Sequence, residues 1–283
     1  MSDAIKAAMS GLSLSLDAQY RTISVEAQGS GESLQSALSR LPSFFKDVNA
    51  KLSQAFKNSL DAFWKPKDLA WAAAVLQKHN YMDLRDTPLP ALPSLRSDYL
   101  TYTAALDEDA KLAGTVLRQY IEPLAKAVAE YLGDKDGLMA HHPVDTLHHY
   151  DLKVFSHAMQ RTARLLDPVH AEPTQPYGKL IKRQNDWTAV IGHIDHIGHV
   201  FAEADHAAFA YSVERVNDLL GKLLRRVTEE PDAYRVSGPT LDVLTKAAYV
   251  TATAIEFYGL TYKRAMALEA AMQSLVDAVK AID

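Results

Sequence analysis

Ser237 to Ala281 reads SGPTLDVLTKAAYVTATAIEFYGLTYKRAMALEAAMQSLVDAVKA, and this stretch decides the fold class. Ser237 is a residue type that caps a helix, and Pro239 falls in the first turn, where its missing N–H costs nothing. Helical pattern then continues to about Ala281 with no further proline. The chain upstream has the same character. Lys182 to Thr228 is a very long helical pattern closed by Glu229-Glu230-Pro231, and Leu147 to Leu166 is another, closed by Asp167-Pro168. Tyr99 to Leu132 is a long helix ended by Gly133, with the turn Asp134-Lys135-Asp136-Gly137 after it. Long helices joined by short loops point to an all-α, elongated multi-helix bundle with antiparallel neighbours.

Further back the pattern becomes punctuated. Pro88, Pro90 and Pro93 stiffen a connector and mark the best boundary in the chain. Before it, Asp68 can cap a short helix to about Lys78, and Pro42 to Trp64 is strongly amphipathic. Phe44, Val48, Leu52, Ala55, Phe56, Ser59, Leu60 and Phe63 form its stripe, with Pro42 expected near the start. Residues 11–25 instead alternate, with Leu12, Leu14 and Leu16 followed by Tyr20, Ile23 and Val25, which predicts an extended segment. Gly29-Ser30-Gly31 supplies a joint. The expected organisation is a short extended or disordered leader over 1–32, a helical hairpin over 33–86, a Pro-rich connector over 87–97 and a main helical bundle over 98–283.

Composition narrows the function classes. At 283 residues the chain can bury roughly three quarters of its unfolded surface. A net charge of −5 argues against a dedicated binder of nucleic-acid backbones, so no specific nucleic acid is expected. The absence of cysteine removes disulfides, thiolate metal sites and cysteine nucleophiles. No apolar run approaches the roughly 20 residues of a transmembrane helix. Glycine-rich phosphate loops, Gly-x-Ser-x-Gly elbows and His-Glu-x-x-His motifs are missing, and no enzyme is expected.

One helix face carries unusual chemistry. His193, His196, His199 and His206 lie in the Lys182–Thr228 pattern, and His196, His199, Glu203 and His206 fall within roughly 80° of arc. Imidazoles with a carboxylate suit a divalent metal, and Glu203-x-x-His206 matches one motif of di-iron bundles. No second Glu-x-x-His accompanies it. A polar surface or a hydrogen-bonded seam fits the same residues, so no cofactor is expected and a divalent metal is the alternative. Arg183 to Trp187 makes a polar-aromatic cluster in which Asn185 or Asp186 can cap the helix and Trp187 anchor it.

Two tripeptides in the leader carry a resemblance. Ser24-Val25-Glu26 precedes Ala27, and Ser30-Gly31-Glu32 precedes Ser33. Each looks like the small-residue, any, glutamate site cut by prohead proteases, and the layout resembles the internal head and virion structural proteins of large tailed bacteriophages. Tyr99 to Leu106, Ile121 to Leu124 and Lys182 to Trp187 add to the likeness. It implies a non-enzymatic virion protein of the capsid interior, present in the infected host's cytoplasm during assembly. Its leader would meet a prohead protease cutting after Glu26 or Glu32, and its body other virion proteins. The negative charge suits a proteinaceous inner body or the shell's inner face better than dense DNA. Two alternatives stand beside it: a helical-bundle metalloprotein using His196, His199, Glu203 and His206, and an all-α module binding a host protein through Phe44 to Phe63.

Overall fold

The computed structural model describes Leu16 and residues 18–29, 32–60, 68–79, 88–90, 99–133, 147, 151–165, 174–176, 181, 183–203, 206–229 and 238–280. The fold is all-α. In chain order the helices are α1 over 18–27, α2 Glu32–Leu60, α3 Asp68–Leu76, α4 Tyr99–Val116, α5 Glu122–Gly133, α6 Leu152–Leu165, α7 Gln184–Glu203, α8 His206–Glu229 and α9 Gly238–Lys280. A π-helical turn, Leu117–Ile121, joins α4 to α5.

At 43 residues, α9 is about 65 Å long and forms the axis of the molecule. Every residue from Ala247 to Ile255 is buried, so over this stretch the helix is covered all round. Its buried threonines satisfy themselves locally: Thr245 donates to the Leu241 carbonyl at 2.7 Å and Thr253 to that of Tyr249 at 3.0 Å. Around it pack α2, α3, α4 and α6, while α7 lies on α3 and α4, and α8 on α2 and α5. Aromatic rings tie these layers together. Phe209 of α8 stacks on Tyr258 of α9 at 4.1 Å, and Phe201 of α7 meets Tyr262 edge-on at 5.4 Å. On the other side Phe155 of α6 contacts both Tyr120 and Phe257. Buried side chains from Leu16 to Val279 form one continuous core, with members on both sides of the proline-rich connector.

Two three-residue strands, β1 Pro88–Pro90 and β2 Thr174–Pro176, pair antiparallel with Leu89 opposite Gln175. The connector's prolines are tolerated there because the ladder has only edges.

The π turn has a visible cause. Pro123 lacks the N–H that a regular helix needs, and its ring would strike the carbonyl four residues back. The widened turn relieves this, with the Glu122 N–H reaching the Leu117 carbonyl.

Several boundaries differ from the sequence reading. The segment predicted to be extended is helical over 18–27: Leu16, Ile23 and Ala27 are buried while Val25 is 73% exposed, the opposite of a period-two face. Helix α2 starts at Glu32, placing Pro42 in its interior, because buried Ala37 and Leu41 extend the stripe of Phe44, Phe45 and Val48 backward. Asp151 accepts the Lys153 N–H at 2.9 Å and caps α6, which begins at Leu152 and not at the predicted Leu147. The long Lys182–Thr228 pattern divides into α7 and α8, which take different packing partners.

Candidate functional site: an acidic ladder on α4 and the α1–α2 joint

Three consecutive acids, Asp107, Glu108 and Asp109, occur in the middle of α4. Successive residues turn by about 100°, so the three address different neighbours. Asp107 faces α7. Its carboxylate receives the Lys111 ammonium at 3.0 Å, the His196 Nδ1 in a close contact, and the His193 Nδ1 at 3.4 Å. An ionised carboxylate only accepts, so both imidazoles present a protonated Nδ1 in this arrangement. Burial pushes the Asp107 carboxyl up, but hydrogen bonds from Lys111 and His196, the His196 charge and the His193 bond outweigh it and hold it below its ordinary value.

Asp109 is fully buried and faces the other way. Arg264 of α9 donates to Oδ2 at 2.6 Å and Arg161 of α6 to Oδ1, while Arg161 also pairs with exposed Glu108. The Arg264 guanidinium lies 5.3 Å from the centre of the Tyr102 ring. One short stretch of α4 thus ties in three other helices: α7 through the hydrogen bonds of Asp107 with two imidazoles, and α6 and α9 through the ion pairs of Asp109 with two arginines.

The metal set predicted from sequence is distributed differently. His196 turns to Asp107, and His199 turns its Nδ1 to the Asp195 carbonyl at 2.8 Å, with the Asp195 carboxylate at 3.4 Å. Glu203 is exposed at the end of α7. His206 belongs to α8, so the four residues do not share one helix face, and its side chain lies outside the described residues. Among the described residues no group of three or more ligating side chains is placed to hold a metal ion. The partner acid for these histidines, Asp107, sits 86 and 89 positions upstream and had no sequence signal linking it to them.

Trp187 is buried as expected of an anchor, and its indole N–H donates to the His79 carbonyl at 3.3 Å. Helix α7 begins one turn ahead of it, so Asp186 is a first-turn acid favourable to the helix dipole. Beside it runs an open groove between α3 and α7, lined by Ala73, Gln77, Gln184, Trp187, Thr188 and Asp195 among others. Neither Asp107 nor its two histidines line that groove. The His–Asp pairing thus ties α4 to α7 and lies apart from this groove.

The candidate cleavage residues lie at the α1–α2 joint. Glu26 is in α1 and ion-paired with Arg40 of α2 at 3.1 Å, and Ala27 is 1% exposed. Glu32 is exposed in the first turn of α2, followed by Ser33 in the same turn. Of the stripe predicted on Phe44 to Phe63, Phe44 and Val48 are buried in the core. The side chains from Leu52 to Phe63 lie outside the described residues. No helix among the described residues is long and apolar enough to cross a membrane. Set against protein-family models, curated proteins and solved structures, the chain finds no match in any of the three.

Proposed function

We propose that this chain is a non-enzymatic structural protein of a large tailed bacteriophage, carried inside the virion head and processed at its N-terminus by a prohead protease. The observation that carries the reading is the placement of two of the chain's small-residue, any, glutamate tripeptides, those ending at Glu26 and Glu32; the matches at Ser212-Val213-Glu214, Ala254-Ile255-Glu256 and Ala267-Leu268-Glu269 lie inside the long helices α8 and α9. The first two bracket the break between α1 and α2, with Glu32 exposed in the first helical turn. Chain breaks with exposed flanks are where proteolysis concentrates. The body behind the joint is a helical stack around α9, locked by buried charge pairs, a build suited to a durable building block.

Intact mass and N-terminal peptide mapping of the protein recovered from its native source test this. A mature chain beginning at Ala27 or Ser33 is the expected result. A chain that still begins at Met1 or Ser2 after particle assembly overturns it.

A further inference from the structure

Leu16, Tyr20, Ile23 and Ala27 stand at i, i+4, i+7 and i+11, a single helical face. That face is turned inward: Leu16, Ile23 and Ala27 are buried, and Tyr20 packs against the core and stacks on Tyr249 of α9 at 5.6 Å. Polar contacts fix the same helix on α2. Gln19 Nε2 donates to Asp47 at 2.8 Å, and Arg40 Nε donates to both Glu26 oxygens at 3.1 and 3.2 Å. Helix α1 is therefore seated on a strip made by α2 and α9, and its sequence link to that strip passes through the joint before Glu32.

The two candidate bonds differ in what cutting them requires. A protease draws the bond and its flanks into an extended shape. At Glu26–Ala27 this means breaking the Arg40 pair and lifting buried Ala27 off the core. At Glu32–Ser33 it means opening only the first turn of α2, whose N–H groups have no helical partners.

We propose that α1 is a covering helix, and that a cut after Glu32 converts it from a tethered part of the fold into an exchangeable ligand of the α2–α9 strip. The cut itself rests on the processing reading above; the strip and its cover do not. Before the cut, the tether holds the cover at an effective concentration on the order of mM. Afterwards non-covalent contacts alone retain it, among them the buried stripe, the Tyr20–Tyr249 stack and the polar contacts to α2, and a second copy of the same helix can take its place.

The test uses the purified full chain and a glutamate-specific endopeptidase at short times, read by intact mass. The first N-terminal cut is expected after Glu32, with the released piece co-eluting with the body in size-exclusion chromatography at high concentration. A fluorescent peptide of residues 16–32 should then be taken up by the nicked protein and not by the intact one. The same peptide carrying Ile23→Asp should not be taken up. Cutting after Glu26 as fast as after Glu32, no cut after Glu32, or failure of the nicked protein to take up the peptide would each overturn the proposal. None of these outcomes bears on whether the native protein is processed, which its mature N-terminus decides separately.

Discussion

Asp109 shows what one buried residue contributes here. It is fully buried between Arg161 and Arg264, and Arg264 is itself only 11% exposed at its side chain. Removing the acid leaves a guanidinium desolvated and short of a charge, so Asp109→Ala should cost about 3–5 kcal/mol in urea unfolding. Neighbouring Glu108, whose side chain is 62% exposed, pairs with the same arginine in solvent, and Glu108→Ala should cost about 0–1 kcal/mol. Asp107 makes a different prediction, in pH. Its folded value is depressed, so its contribution is complete above the ordinary aspartate value of about 3.9 and is lost as pH falls through the lower folded one. Acid titration of unfolding should therefore show a steeper loss of stability below about pH 4 for the native chain than for Asp107→Asn. Neither role was legible in the sequence. The histidines stood out by their spacing within one helix, but their partner lies on another, and pairing across such a separation is set by packing.

Helix crossings, one scale up, are set by what the facing surfaces allow. Gly198 lies where α7 meets α3, and a Cβ there would fall 2.6 Å from the backbone nitrogen of Ala70. Backbone cannot rotate aside, so Gly198→Ala should force the two helices apart at a cost of about 1–3 kcal/mol of overpacking, more than the helix-propensity gain of about 1 kcal/mol. Gly192, earlier in α7, meets nothing within 4 Å, so Gly192→Ala should gain about 0.5–1 kcal/mol in the same denaturation experiment. The contrast isolates packing from propensity within a single helix. Element ends were legible where local chemistry fixes them: Gly238 and Pro239 opening α9, Tyr99 opening α4 and Gly133 closing α5 all lie where the sequence places them. They are ambiguous where two periods compete. Leu12, Leu14 and Leu16 alternate in the sequence, as do Ile23 and Val25, whereas Leu16, Tyr20 and Ile23 fit a helix, and the burial of Ala27 with the exposure of Val25 decides for the helix. Pro42 points to a helix start because its local penalty is plain, whereas the tertiary burial of Ala37 and Leu41 that overrides it is not visible in sequence.

The whole molecule is organised by α9, and its tyrosines allow the closure of that core to be measured. Tyr258 and Tyr262 of α9 and Tyr99 of α4 are buried, and burial raises all three, with Glu269 adding to the rise at Tyr262, which is pushed up to about 12. A tyrosine whose folded value is raised contributes stability that is complete below its ordinary value of about 10 and is lost as pH climbs through the folded one. The rings concerned connect layers: Tyr258 stacks on Phe209 of α8, and Tyr262 meets Phe201 of α7. Ionising them thus loosens contacts among α7, α8 and α9 together. Spectrophotometric titration should show part of the 13 tyrosines ionising near pH 10 and a later group ionising only as the helical circular dichroism collapses, near pH 12. Because the core runs continuously from Leu16 to Val279, that collapse should take α2 with it and not stop at the proline-rich connector. Titration of every tyrosine near pH 10 with helicity intact would mean that the layers around α9 open independently, and that the bundle is not one cooperative unit.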